Sequence, residues 1–229
     1  MIGERPFVIL NVAMTADGKI DTAARRGAAI SSPRDRERVD RLRAESDAVM
    51  VGGRTLLGDD PKLTVKSAAL RAGRRARDLD ENPIKVGVLS DAAGLRSDSQ
   101  FVTAGPARVF LYTAQQTGLA QIERLRAQGV SVFVMGERQV DLPAMMRSLR
   151  THGVARLLVE GGSTLNAALL YQRLVDEVII YVAPLIFGGA DAPTLAGGPG
   201  FPREEALRLQ ELDVEQLEDG GVVVHYRVL

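Results

Sequence analysis

The chain of 229 residues is 45% hydrophobic and 25% charged, with 29 basic and 29 acidic residues that cancel. This is a globular composition with no bulk attraction to nucleic acid or to an acidic membrane surface, and aromatics at 4% leave little material for base stacking. The absence of cysteine excludes disulfides, thiolate metal sites and cysteine nucleophiles, and fits a cytoplasmic protein.

No apolar run approaches the roughly 20 residues of a membrane-spanning helix, and the segment from Met1 to Pro6 has no signal-peptide pattern. With only His152 and His225, a three-histidine zinc site is impossible and no metal is expected. His152 precedes Gly153 at a predicted helix end and His225 lies in an alternating strand, so both are expected to be structural.

Phe7 to Val12 reads as a buried strand, followed by a turn at Asp17-Gly18. Ser32 is the expected N-cap of a helix with Pro33 at its first position and Asp35 answering the cap. That helix is expected to turn Val39 and Leu42 inward and Arg34, Arg36, Glu37, Arg38 and Arg41 outward. Asp47 to Val51 is a second strand. The glycine-rich stretch Gly52 to Pro61 after it is neither a P-loop nor a Gly-x-Gly-x-x-Gly turn. Lys66 to Asn82 is an arginine-rich polar tract, expected as an exposed loop with a short helix.

Ile84 to Leu89 is a third strand, with Ser90 and Asp91 at its carboxyl end. Ala107 to Tyr112 and Val130 to Met135 are further strands. Between them Leu119 to Gln128 is an amphipathic helix stopped by Gly129. Leu142 to His152 is a helix capped by Asp141 and stopped by Gly153. Leu157 to Val159 forms a short strand that passes through Glu160, Gly161 and Gly162 into a helical pattern carrying Leu165, Leu169 and Leu170. A helix start of this kind offers free N–H groups and a positive dipole end to an anion, and the two glycines let a ligand approach the backbone. A plain strand–helix connection with a solvated Glu160 is the alternative.

Glu177 to Phe187 reads as a long strand in which Pro184 calls for an edge or a bulge. Leu207 to Leu217 and Val222 to Leu229 form an antiparallel hairpin about Asp219-Gly220-Gly221. Alternating strands and helices that end in a hairpin define an α/β protein, with a mostly parallel central sheet flanked by helices and antiparallel C-terminal strands. No linker or repeat interrupts the sequence, so a single domain over 1–229 is expected. Ligands of such sheets bind outside the carboxyl ends of the strands, where Asp17, Gly52 to Asp60, Ser90 and Glu160 to Thr164 fall.

Three stretches carry a family resemblance: Met14 to Ile20 (Met-Thr-Ala-Asp-Gly-Lys-Ile), Val51 to Val65 with its Thr55-x-x-x-Asp59-Asp60-Pro61-x-Leu63-Thr64-Val65 pattern, and Val159 to Leu165 with Glu160-Gly161-Gly162-Ser163-Thr164. Together they resemble the reductase domain of riboflavin biosynthesis, from about Phe7 to the C-terminus. The resemblance implies a dihydrofolate reductase-like fold and a homodimer. It implies reduction of a ribosylaminopyrimidine 5′-phosphate to its ribityl form with NADPH, by hydride transfer to the anomeric carbon after ring opening.

It also implies roles for particular residues. Thr55, Asp59, Ser90 and the turn Gly161, Gly162, Ser163 and Thr164 would bind the cofactor. Lys19, Arg43, Leu63, Lys66 and Glu160 would bind substrate, with Arg43 and Lys66 suited to a sugar phosphate. Asp17 and Glu160 are the candidate catalytic residues, although an ordinary Asp-Gly turn is the alternative for Asp17 and a solvated helix residue the alternative for Arg43.

NADH is the alternative cofactor, because Asp91 beside Ser90 would repel a 2′-phosphate unless Arg96 points inward to offset it. Without cysteine the chain is expected to lack the zinc deaminase of two-domain relatives, so that another protein deaminates, and the resemblance leaves open whether the substrate is the diaminopyrimidinone or the aminouracil. A pterin reductase of the same fold and a non-catalytic nucleotide-binding module are the rival functions.

Overall fold

The computed structural model describes residues 3–229; Met1 and Ile2, the start of the segment read as lacking a signal pattern, lie outside it. In chain order its elements are β1 (Phe7–Thr15), α1 (Pro33–Glu45), β2 (Ala48–Gly52), α2 (Gly53–Asp59), α3 (Ala68–Arg75), β3 (Ile84–Leu89), α4 (Gln100–Thr103) and β4 (Val109–Thr113). They continue as α5 (Leu119–Ala127), β5 (Ser131–Val134), α6 (Leu142–Thr151), β6 (Arg156–Val159), α7 (Ser163–Tyr171), β7 (Glu177–Ala183), β8 (Leu209–Gln216) and β9 (Val222–Val228). The α/β class and the antiparallel C-terminal hairpin are as expected. Among the described residues no helix is long and apolar enough to cross a membrane.

The chain divides into two compact units, one of the N-terminal residues through Phe7 with Asp40–Leu158, the other of Val8–Val39 with Val159–Leu229. In the first, β5, β4, β3 and β2 run parallel in that order, with Val86 registered between Met50 and Phe110. Every residue of β2, β3 and β4 is buried, which is why these strands are mostly apolar, Lys85 in β3 excepted: a parallel strand covered on both faces has no solvent side to mark with polar residues.

Three helix starts in this unit, those of α3, α4 and α6, are capped by a side chain. Ser67 accepts from Leu70 N, Ser99 from Val102 N, and Asp141 from Ala144 N, the last as expected. α2 and α4 were not foreseen. α2 follows Gly52 and itself includes Gly53 and Gly58, so its local sequence argues for loop.

The arginine tract is mostly exposed and carries the short helix α3, as expected, but Arg74 is turned inward. Arg74 is 3% exposed. It donates through Nη1 to the carbonyls of Ala44 (3.0 Å) and Ser46 (2.8 Å), and through Nε to that of Asp80 (2.7 Å). A guanidinium thus caps the carboxyl end of α1, where a cation suits the helix dipole. His152 is structural, as expected: its Nδ1 lies 2.8 Å from the Ser148 carbonyl and its ring meets Phe110 and Phe133 edge-on.

In the second unit β1 pairs with β7 in parallel, β7 with β9 antiparallel, and β9 with β8 antiparallel. β7 ends at Ala183 rather than reaching Phe187, and with partners on both sides it is not an edge. Pro184 has no N–H to continue a ladder, so the strand stops just before it. His225 Nε2 lies 2.9 Å from Glu177 Oε2 across the β7–β9 pair, again a structural role.

The start of α1 also departs from expectation. Ser32 Oγ accepts from Asp35 N (3.1 Å) as predicted. The Asp35 carboxylate, however, is fully buried and receives Arg38 at 2.9 and 2.7 Å, while Arg38 Nη2 also donates to Asn11 (2.9 Å). Arg38 is therefore inward, not outward, paired with the buried Asp35 carboxylate. Val39 and Leu42 are only half-buried. Removing one partner of a buried pair leaves the other charge uncompensated, at a cost of about 3–5 kcal/mol.

Candidate functional site

Glu160, in the second unit, follows the end of β6 in the chain and is half-buried. Gly161 follows at φ +100, a conformation side chains rarely adopt, and the Gly161–Gly162 peptide is cis. A Cβ built on Gly161 meets nothing within 4 Å, so the backbone here borders open space. α7 then begins at Ser163, with Gly162 as an N-cap that supplies no side-chain acceptor. The N–H groups of this first turn are thereby left for another acceptor, the arrangement that suits an anion. Ser163 is buried and Thr164 exposed.

The segment Leu195–Gly197 packs on this turn. Asn166 Nδ2 donates to the Leu195 carbonyl (2.8 Å) and Gly197 N to the Ser163 carbonyl (3.1 Å). A Cβ on Gly197 would stand 2.9 Å from Ser163 Oγ, so a side chain there would force Ser163 to shift.

After β1, Asp17 is held by three donors: the Thr15 hydroxyl at 2.6 Å, Phe187 N at 3.2 Å and Gly188 N at 2.8 Å. The Thr15 hydroxyl first, and the two backbone N–H groups with it, keep the Asp17 carboxyl below the usual carboxylate range. Lys19 is fixed by its backbone, donating to Thr15 Oγ1 (3.0 Å) and bridging to Thr194.

In the first unit, Thr55 lies half-buried in α2 and Asp59 exposed at its last position, and α2, like α7, starts from a glycine without a side-chain cap. Asp60 and Leu63 both have positive φ, 43° and 51°. Leu63 as a whole is buried, at 1% exposed. Arg43 on α1 donates to the Thr64 carbonyl (3.1 Å), and Lys66 is exposed. Ser90, half-buried at the end of β3, accepts from Ala114 N with its carbonyl. Asp91 beside it is exposed, and Arg96 is exposed and paired with Asp98 at 2.7 Å, so Arg96 does not point inward to offset Asp91. No cluster of potential metal ligands occurs among the described residues.

Sequence reasoning missed the residues that hold this loop by its backbone. Asp60 accepts from Gln100 N (2.8 Å) and Phe101 N (3.0 Å), Asn82 from Val65 N (2.9 Å), and Asp40 from Lys66 N (2.7 Å) and Ser67 N (2.8 Å). Only the second aspartate of Asp59-Asp60-Pro61 carried any signal, as part of a motif; Asp40 and Asn82 had none.

The fold is the α/β, dihydrofolate reductase-like architecture. The chain belongs to the RibD C-terminal domain family, whose model matches residues 6–223. A relative from Archaeoglobus fulgidus, named 2,5-diamino-6-ribosylamino-4(3H)-pyrimidinone 5′-phosphate reductase, is 40% identical over 96% of this chain and 97% of its own. One of the same name from Methanothermobacter thermautotrophicus is 42% identical over 98% and 99%. Among solved structures, Acinetobacter baumannii RibD superposes with a TM-score of 0.80 at 25% identity over 99% of this chain, which spans 58% of that protein.

Proposed function

We propose that this chain is the riboflavin-pathway reductase that converts 2,5-diamino-6-ribosylamino-4(3H)-pyrimidinone 5′-phosphate to its ribitylamino form with NADPH. Two relatives matched over nearly their full length bear that substrate in their names, which favours the diaminopyrimidinone over the aminouracil. The observation that carries the reading is the turn at Glu160 to Ser163. It combines a glycine facing open space, a helix start without a side-chain cap and a carboxylate at the strand end.

This turn fits a dinucleotide phosphate: Gly161 and Gly162 admit close approach, and the N–H groups of Ser163 and Thr164 can donate to it. Thr55, Asp59 and Ser90 are further proposed cofactor ligands. When bound, the nicotinamide supplies a hydride to the anomeric carbon of the opened ribose, and a proton completes the reduction. The chain's own groups bind and orient. Glu160 accepts from N–H groups of the pyrimidine. Lys19 and Leu63 are proposed to contact substrate, while Arg43 and Lys66 hold its phosphate. Asp17, kept ionised by its three donors, is suited to anchoring the 187–188 backbone rather than passing a proton.

NADPH is the proposed cofactor, with NADH the alternative that exposed Asp91 favours. We also propose a cytoplasmic homodimer. β8 is exposed along its whole length, including Leu209, Leu212 and Val214, and so offers an edge to a second copy. Sedimentation of the purified chain tests the dimer. Oxidation of NADPH with the ribosylaminopyrimidine phosphate tests the reaction, with dihydrofolate as the competing substrate.

A further inference from the structure

The loop from Asp60 to Ser67 has no regular secondary structure, includes two non-glycine residues at positive φ, and carries Leu63 and Lys66. Such a loop keeps one conformation only if its surroundings impose it. The structure shows what imposes it at the Lys66 end. The Asp40 carboxylate, 7% exposed on α1, spends one oxygen on Lys66 N (2.7 Å) and the other on Ser67 N (2.8 Å). Arg43, three residues later on the same helix, holds the Thr64 carbonyl (3.1 Å).

We propose that Asp40 is the positioning residue for phosphate recognition: it sets the Lys66 backbone against α1, and so fixes where the Lys66 ammonium stands relative to Arg43. This rests on the reading of Arg43 and Lys66 as the phosphate-binding pair. Asp40 itself, as an anion, does not touch the phosphate. Its effect passes through two short backbone hydrogen bonds that an amide cannot reproduce. Asparagine has one acceptor oxygen, and its NH2 would face the second N–H donor. Asp40 also lies one turn N-terminal to Ala44, whose carbonyl Arg74 caps, so this end of α1 is braced from both sides.

The test measures binding of the full chain to the ribosylaminopyrimidine phosphate and to its dephosphorylated counterpart, by calorimetry with NADP⁺ present. Wild type should prefer the phosphorylated compound. Asp40→Asn should weaken that compound about tenfold, the effect of a lost charge-assisted hydrogen bond, and leave the dephosphorylated compound unchanged. In a Lys66→Ala background Asp40→Asn should add nothing. Asp40→Glu, which keeps both acceptors, should recover most of the preference and stands in if Asp40→Asn does not fold. An unchanged phosphate preference in Asp40→Asn, an equal loss for both compounds, or a wild type without preference overturns the proposal. A wild type that prefers the phosphate but turns over neither compound overturns the reductase reading alone.

Discussion

The Asp17 carboxylate accepts the backbone N–H of Gly188 at 2.8 Å, tying the turn after β1 to the segment that follows β7 across 171 residues of sequence. With the Thr15 hydroxyl and Phe187 N it has three donors, and they hold the ionised form. A carboxyl whose folded pKa is depressed contributes stability above its unfolded pKa and loses it as pH falls through the folded value. Activity should therefore show no limb from Asp17 between pH 5 and pH 8 or so. Asp17→Ala should raise hydrogen exchange at 185–188 and lower turnover. A limb near neutrality that vanishes in Asp17→Asn, with exchange unchanged, would make Asp17 a proton carrier instead.

Gly161 and Gly197 should fail differently on mutation to alanine. At Gly161 there is room for a methyl group but φ is +100, so Gly161→Ala should cost on the order of 1–3 kcal/mol of stability. Gly197→Ala meets Ser163 Oγ at 2.9 Å and should displace Ser163. Its expected signature is a weaker NADPH Kd with a smaller change in Tm than that of Gly161→Ala. Titration of intrinsic NADPH fluorescence and thermal melts of both variants check the pair.

Glu160→Gln keeps the shape and removes the charge. It should raise KM for the pyrimidine about tenfold or more, since a hydrogen bond to a charged acceptor contributes about 1.5–3 kcal/mol. The NADPH Kd should stay close to wild type. Equal loss of both affinities would assign Glu160 to the cofactor or to the fold.

Lys85 is fully buried in β3, with Nζ donating to the Ala104 carbonyl at 2.8 Å, and burial lowers its pKa to about 8. Between that value and its unfolded 10.5 the unfolded chain binds more protons, so this residue makes stability rise with pH over that interval. The gain is bounded at about 3 kcal/mol. Wild type should gain on Lys85→Met as pH goes from 8 to 10 in urea melts. A constant difference between them would show that Lys85 does not titrate in this range.

How much of this was legible in the sequence depended on periodicity and punctuation. β2, β3 and β4 were legible as mostly apolar strands, although Lys85 interrupts β3, and Ser32, Asp141, Gly129 and Gly153 served as helix signals. The Glu160 to Thr164 turn carries its helix-start signal in its own residues, two glycines between an apolar strand and a helical pattern. Arg38 misled because a charged residue among charged residues looks solvated, and only the fold reveals that Asp35 is buried beneath it. α2 hid behind its glycines. Asp40 and Asn82 were invisible as loop anchors because their partners, Lys66 N and Val65 N, lie 26 and 17 residues away and leave no local pattern.

The central claim is tested most directly by one assay: NADPH oxidation by the purified chain, followed at 2,5-diamino-6-ribosylamino-4(3H)-pyrimidinone 5′-phosphate, its deaminated counterpart and dihydrofolate. Turnover with the diaminopyrimidinone, exceeding that with the deaminated compound, is expected, with none for dihydrofolate. Turnover of dihydrofolate alone, or NADPH binding without turnover of any of the three, contradicts it.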